Sequence, residues 1–387
     1  KGGKHVDCVV SQLIKKLTTM IQSKNKDITV KSQHIRDNLF VFIRSTINEP
    51  KFDSQTKEFL TTPISKFGSK CNLKEDFFKR LYKTELTENI IRLSSIFSNK
   101  ALQKTDGKKR NTLYGIAKLD DALWAGSAKS EKCTLILTEG DSAKALAIAG
   151  LSVVGRERYG VFPLKGKLLN VNGATQKQLI DNEEINNIKK ILGLETGKVY
   201  KDTKSLRYGH VMGLVDQDTD GFHIKGLLFN LFNTFWPSLL QIDGFMVTLL
   251  TPIIKVTNKA EVIEFYSLTK YYKWKKIKED DNTLNKWSIK YYKGLGTSTA
   301  NEGKEYFRNF NLVKYQWNDL NQSSSPDKNR SKLAIDLAFN KKRADDRKLW
   351  LEEYNKDDII DYGKQRIVSY SDFINRELIH FSKYDVE

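Results

Sequence analysis

The apolar positions of this chain change period several times along its length. Near the start, Val6, Val9, Val10, Leu13 and Ile14 fall close to helical spacing, while Leu39-Phe40-Val41-Phe42-Ile43 is an unbroken apolar run that reads as a buried strand. Residues 104–111 are polar and charged around Gly107, the texture of a linker or exposed loop. From Lys132 onward the order becomes strand, turn, helix. Residues 133–138 form a short β-rich run that meets Glu139-Gly140-Asp141-Ser142, and the Ala-rich stretch 143–149 follows as a helix for Asp141 or Ser142 to cap. The same order returns with a strand at 210–215, a turn at 216–221 and a helix. In that helix Ile224, Leu227, Leu228, Leu231, Phe232 and Phe235 make one apolar stripe. A third strand is expected at 245–250. Strands alternating with helices predict an α/β fold, a mainly parallel sheet with helices on both faces. Residues 318–331, with three consecutive serines and Pro326, read as a loop, and 333–354 as one long helix with a Lys/Arg-rich face.

Composition narrows the class. The chain has 387 residues, enough for two or three domains, and 39% hydrophobic content supports packed cores. Lys and Arg total 65 against 47 Asp and Glu, a net charge of +18. That surplus suits a polyanionic partner, because each cation set against a phosphate releases condensed counterions. A solvated Lys-rich surface accounts for it equally, and charge alone does not separate the two. Cys8, Cys71 and Cys133 are far apart and lack metal-ligand spacing, so a disulfide framework or zinc site is not expected and a reducing compartment fits. No run approaches eighteen apolar residues, so no membrane span is expected. Opening on Lys1-Gly2-Gly3 with no initiator Met, the chain reads as an internal segment of something longer.

In an open parallel sheet, ligands gather outside the carboxyl ends of the strands. Glu139 lies at one such end, and Asp216, Asp218 and Asp220 lie at another. If those strands are neighbours, four carboxylates converge and raise one another's pKa unless a cation intervenes. An all-oxygen set favours Mg2+ over softer metals. On an extended chain the alternation Asp-x-Asp-x-Asp would also point all three acids the same way. A calcium-binding EF-hand loop is rejected because Leu227 stands where that loop needs a bidentate Glu. The bland reading is a set of exposed acids on a turn. Three basic segments accompany the acids: Lys165-Gly166-Lys167 with Asn170, Lys293-Gly294-Leu295-Gly296, and Asn340-Lys341-Lys342-Arg343. Lys-Gly turns let a backbone approach phosphates closely, although each segment alone is more often a solvated loop.

Glu139-Gly140-Asp141-Ser142-Ala143 together with Asp216-Gln217-Asp218-Thr219-Asp220-Gly221 resembles the Toprim module of topoisomerases, bacterial-type primases and some nucleases. Residues 160–171 and 290–299 are similar to the eukaryote-type, single-chain type IIA topoisomerase family. Gly2-Gly3-Lys4-His5-Val6-Asp7 and Gln55-Thr56-Lys57 resemble the transducer half of that family's ATPase region, and residues 372–378 resemble the start of its breakage-reunion domain. The resemblance runs essentially end to end.

It implies a Toprim-type parallel sheet flanked by helices, preceded by an α+β transducer segment and followed by the start of a winged-helix domain. The implied boundaries are 1–104, a linker at 105–131, the metal domain at 132–256, an extension at 257–331, and a basic helix with the winged-helix start at 332–387. Glu139 would be the acid/base residue and a metal ligand; Asp216 and Asp218 would bind Mg2+, for which Mn2+ or Ca2+ can substitute, with Asp220 assisting. Lys165, Lys167, Asn170, Lys293, Lys341 and Lys342 would contact double-stranded DNA, and Gln55 and Lys57 would contact ATP. The parent enzyme would be a homodimeric isomerase of the nucleus, or of a viral or cytoplasmic DNA compartment if virus-encoded. The nucleophilic tyrosine and the adenine site would lie outside the chain. Lys165 stands where the family usually has Arg, keeping the charge but losing the bidentate fork. Phe222 replaces a usually small residue and is expected to crowd the metal loop. A Toprim primase or nuclease, or a DNA-binding module without catalysis, are the alternative readings.

Overall fold

The computed structural model describes residues 2–25, 29–259, 261–317 and 329–384. The chain divides into two compact units, Lys1–Lys104 with Thr175–Lys177, and Thr105–Ala174 with Gln178–Glu387.

In the first unit, β1 (Gly2–Gly3) leads into α1 (Lys4–Lys24) and pairs in parallel with β2 (Phe59–Leu60). The predicted helical spacing near the start is realised in α1, whose Leu17 and Ile21 pack on Val30, Ile35 and Ile90. α2 (Ser32–Arg36), α3 (Glu75–Tyr82) and α4 (Glu85–Gln103) complete the unit. The strand expected at 39–43 does not form, and Phe40 and Phe42 stand 95% and 92% exposed. An apolar run becomes a strand only with a ladder partner and a face to cover it, and here β1 and β2 pair with each other instead.

The second unit is built on a six-stranded sheet in the order β11-β10-β6-β5-β3-β4. Its first strand, β3 (Thr134–Glu139), is followed by α5 (Gly140–Val154) and β4 (Tyr159–Leu164). Two short helices, α6 (Gln176–Asp181) and α7 (Glu183–Leu192), precede β5 (His210–Leu214). Then come α8 (Thr219–Phe235), α9 (Pro237–Leu240) and β6 (Met246–Leu249). β4, β3, β5 and β6 run parallel, as the strand–helix alternation predicts. Register sets Ile136 beside Val161 and Met212, and Met212 beside Val247.

That face is covered by Leu146, Ala147 and Leu151 of α5 and by Phe307 of α11 (Ala300–Asn309). A Cβ on Gly150 would lie 2.1 Å from the Phe307 ring, so only glycine allows this approach. The opposite face carries α8, whose Lys225 stem crosses Gly213 of β5. Between β6 and α11 the chain makes an antiparallel three-stranded sheet from β7 (Ile254–Asn258), β8 (Glu261–Phe265) and β9 (Ser288–Tyr291). α10 (Leu268–Asp280) covers it through an aromatic cluster of Phe265, Tyr271, Trp274 and Trp287.

The chain then re-enters the main sheet. β10 (Leu312–Gln316) lies antiparallel to β6, and β11 (Ile367–Ser369) parallel to β10. Between them run α12 (Arg330–Phe339) and α13 (Ala344–Glu352); after them, α14 (Tyr370–Phe373), one wide π turn (Ile374–Leu378) and α15 (Ile379–Tyr384) pack toward α8. Among the described residues no helix is long and apolar enough to cross a membrane.

The loop expected at 104–111 forms, with 108–111 exposed, and its middle is docked on the second unit: Asp106 accepts from the Thr196 amide at 2.9 Å and pairs with Lys189 at 2.7 Å, and Gly107 donates to the Leu194 carbonyl. Farther on, Asp120 exchanges both backbone bonds with Val161, covering the free edge of β4. The long helix at 333–354 breaks at Asn340, which is extended (φ −78°, ψ 115°). Its side-chain oxygen accepts from the Lys342 amide at 3.0 Å, the local competition with helix typical of Asn. Of the serine-rich loop, 318–328 lie outside the described residues, and Arg330 and Ser331 already belong to α12.

Candidate functional site

Because β3 and β5 are adjacent and parallel, their carboxyl ends open side by side, and the residues just beyond them meet. Glu139 Oε2 accepts a hydrogen bond from the Asp216 amide at 3.2 Å. A third strand end joins them: Asp216 Oδ1 accepts from the Leu295 amide at 2.7 Å. Two glycines crowd close to Asp216. A Cβ on Gly294 would sit 2.3 Å from Asp216 Oδ2, and one on Gly221 would sit 2.0 Å from the Asp216 carbonyl oxygen.

Asp218 caps α8, accepting from the Gly221 amide at 2.8 Å. Asp220 is therefore already in the first helical turn, where it pairs with Lys167 at 2.8 Å. The three aspartates thus do not alternate on an extended chain as expected, because the cap starts the helix between them. Nor do Asp141 or Ser142 cap α5. That helix begins at Gly140, turned by a positive φ of 76°, and the exposed Asp141 carboxylate pairs with Lys118 at 2.7 Å. Phe222 lines a hollow together with Gln217, Asp218 and Thr219 of the metal loop. Its ring lies 4.8 Å under the Lys225 ammonium.

Electrostatics marks Glu139 out. Burial pushes its carboxyl up to about 7, the charges of Asp216, Asp218 and Asp220 add to the rise, and the Asp216 amide opposes it. Asp216 is also raised, by burial and by Asp218, against the Leu295 amide. Yet among the described residues no three acidic, His or Cys side chains stand as a ready-made metal cluster. The reason is visible in the bonding: Asp220 is drawn to Lys167, and Asp216 and Asp218 each commit one oxygen to a backbone amide. The chemistry of the set still fits a hard cation, with only oxygen donors and a buried, like-charge deficit around Glu139.

The basic residues divide. Lys165 and Lys167 are exposed, paired with Glu183 at 3.3 Å and Asp220 at 2.8 Å. Lys293, also exposed, lines a small hollow shared with Asp216 and Asp218. Lys341 and Lys342 are exposed at the break after α12. Asn170 is occupied internally: it accepts from the Asn172 amide and from Asn230 at 3.1 and 2.9 Å and donates to the Phe339 carbonyl at 3.0 Å. Gln55 and Lys57 belong to the first unit, exposed at the tip of a turn closed by Phe52 and Leu60.

Sequence reasoning missed what Gly294 is for. The Lys-Gly loop is expected to approach phosphates, and its glycine has a second use that the sequence did not reveal: it admits the Asp216 carboxylate. It also missed Glu302, which holds that loop's two ends together, although the Thr299-x-x-Glu302 capping signature was there to be read.

Comparison with known proteins agrees with this geometry. The Toprim domain family matches residues 134–249, the C-terminal associated domain of TOPRIM matches 249–386, and the DNA gyrase B family matches 1–111. The chain is 49% identical over 391 residues to DNA topoisomerase 2 of Arabidopsis thaliana, covering all of this chain and 26% of that protein. It is 45% identical over 431 residues to DNA topoisomerase 2 of Acanthamoeba polyphaga mimivirus, covering all of this chain and 34% of the relative. Among solved structures, the DNA-binding, cleavage and re-ligation domain of Plasmodium falciparum topoisomerase II is similar with a TM-score of 0.66 at 49% identity, over 72% of this chain and 36% of that one. The chain therefore spans about a quarter to a third of its relatives' length. It belongs to the DNA topoisomerase 2 family and carries that family's Toprim domain between a gyrase B-type segment and the domain that follows Toprim.

Proposed function

We propose that this chain is the part of an ATP-dependent type II DNA topoisomerase that holds magnesium where DNA strands are broken and rejoined. The observation that carries the proposal is the meeting of Glu139 with Asp216 at the ends of neighbouring parallel strands, under an electrostatic deficit that a cation relieves. Glu139, Asp216 and Asp218 would hold Mg2+, with Mn2+ or Ca2+ as substitutes, and Asp220 would assist once released from Lys167. The bound ion supplies charge stabilisation at the attacking and leaving oxygens of phosphoryl transfer.

The chain's own residues do the rest. As the acid/base residue beside the metal, Glu139 would serve the sugar oxygen that leaves and returns. Lys165, Lys167, Lys293, Lys341 and Lys342 would neutralise DNA phosphates. Asn170 would act there through the backbone it anchors. Gln55 and Lys57 would reach the ATP γ-phosphate from their exposed turn. The functional assembly is a homodimer acting on duplex DNA in the nucleus or a viral DNA compartment, with residues 1–104 as transducer, 132–256 as the Toprim domain, 257–331 as its extension, and 332–387 leading into the breakage-reunion domain.

The test uses the full-length parent enzyme. Glu139→Gln should slow relaxation of supercoiled DNA by about 100-fold or more, in line with loss of other groups that serve the transition state. Relaxation at the normal rate would remove Glu139 from the mechanism. Ribonucleotide polymerisation, or cutting without resealing, by the unmodified enzyme would favour a primase or nuclease instead.

A further inference from the structure

Glu302, on α11, receives an unusual number of donors. The Lys290 ammonium reaches both of its oxygens at 2.7 and 2.8 Å, and the Tyr292 hydroxyl donates to Oε1 at 2.5 Å. From the other side the Thr299 amide and hydroxyl donate to Oε2 at 2.7 and 3.1 Å. A helix cap accounts for Thr299 only. Lys290 and Tyr292 come from β9 and the residue after it, on the far side of residues 293–298. One carboxylate thus clasps both ends of the glycine loop. Burial alone would raise its pKa, but the hydrogen bonds from Lys290, Tyr292 and Thr299 overcome this and hold it at about 2.

The clasped loop meets the metal site at Asp216. Leu295 anchors its side chain in the core beneath α5 and donates its amide to Asp216 Oδ1 at 2.7 Å, while Gly294 leaves room for Oδ2. An aspartate at the end of a strand otherwise samples several rotamers. Here one oxygen is fixed by a backbone N–H, which aims the other.

We infer that Glu302 is a positioning residue for Asp216, acting through the loop it closes rather than by contact with metal or DNA. The inference rests on the metal-site reading above and deepens it. Groups that orient a metal's ligands typically affect affinity by 10- to 100-fold when lost.

The test measures Mn2+ binding to the whole chain by calorimetry, together with hydrogen exchange of the Leu295 amide and thermal melting. Tyr292→Phe and Glu302→Gln should each weaken Mn2+ binding by about tenfold and speed Leu295 exchange. Lys304→Gly, which weakens α11 without removing any donor to Glu302, should lower the melting temperature while sparing Mn2+ affinity. Wild-type affinity and exchange in both Tyr292→Phe and Glu302→Gln would overturn the inference. So would an equal loss of affinity in Lys304→Gly, since helix stability alone would then suffice. The unmodified chain and Asp218→Ala keep the two levels apart. Absence of Mn2+ binding by the unmodified chain defeats the metal site and this inference with it, whereas binding that is lost in Asp218→Ala but unchanged in the clasp variants defeats the inference alone.

Discussion

Glu139 bonds the Asp216 amide directly and Glu302 is linked to the same aspartate only through the loop it closes, and their surroundings are opposite. Glu139 has one backbone N–H and three nearby carboxylates, and its pKa climbs to about 7. Glu302 has a lysine, a tyrosine and both donors of Thr299, and it stays ionised down to about 2 although it too is partly buried. The chain oversupplies donors where a loop must be held still, and leaves a shortage of positive charge where an ion is to arrive. Rigidity and reactivity are thus placed on two different glutamates, linked through Leu295 and Asp216.

The comparison breaks most severely at the joint. Gly294→Ala places a Cβ on the Asp216 carboxylate and should cut Mn2+ affinity by about 100-fold, read by calorimetry. Next comes the clasp. A carboxyl whose folded pKa is depressed contributes stability above its unfolded value, near 4.5, and loses it as pH falls toward 2. Glu302→Gln should therefore lower stability at neutral pH by roughly 2–3 kcal/mol, with the gap closing between pH 4.5 and pH 2 in denaturant titrations. The smallest effect has the opposite sign. Glu139 has a raised folded pKa, so ionising it costs stability as pH rises from about 4.5 to 7. In metal-free chain, Glu139→Gln should raise the melting temperature by a few degrees at pH 8 and leave it unchanged near pH 4. A loss of stability at pH 8 would show that the crowding at Glu139 is already relieved.

Much of this could be read from the sequence, for identifiable reasons. Short, nearly continuous apolar runs located β3, β5 and β6, and a period of 3.6 located the stripe of α8, because those residues are buried in or against the sheet whatever their distant partners are. Placing ligands beyond parallel strand ends brought Glu139 to Asp216. What failed depended on particular partners. The run at 39–43 looked like a strand but has no ladder; Asn340 broke a long apolar pattern with one side-chain bond; and Lys118 drew Asp141 away from capping α5. The role of Gly294 was hidden because the group it makes room for lies far away in the chain.

The most direct measurement is Mg2+ titration of the chain by calorimetry beside Asp216→Ala. The account predicts saturable binding by the unmodified chain and none by the variant. Saturable heat of equal size from both, or none from either while DNA affinity persists, would contradict it and leave a basic DNA-binding module whose acids are structural.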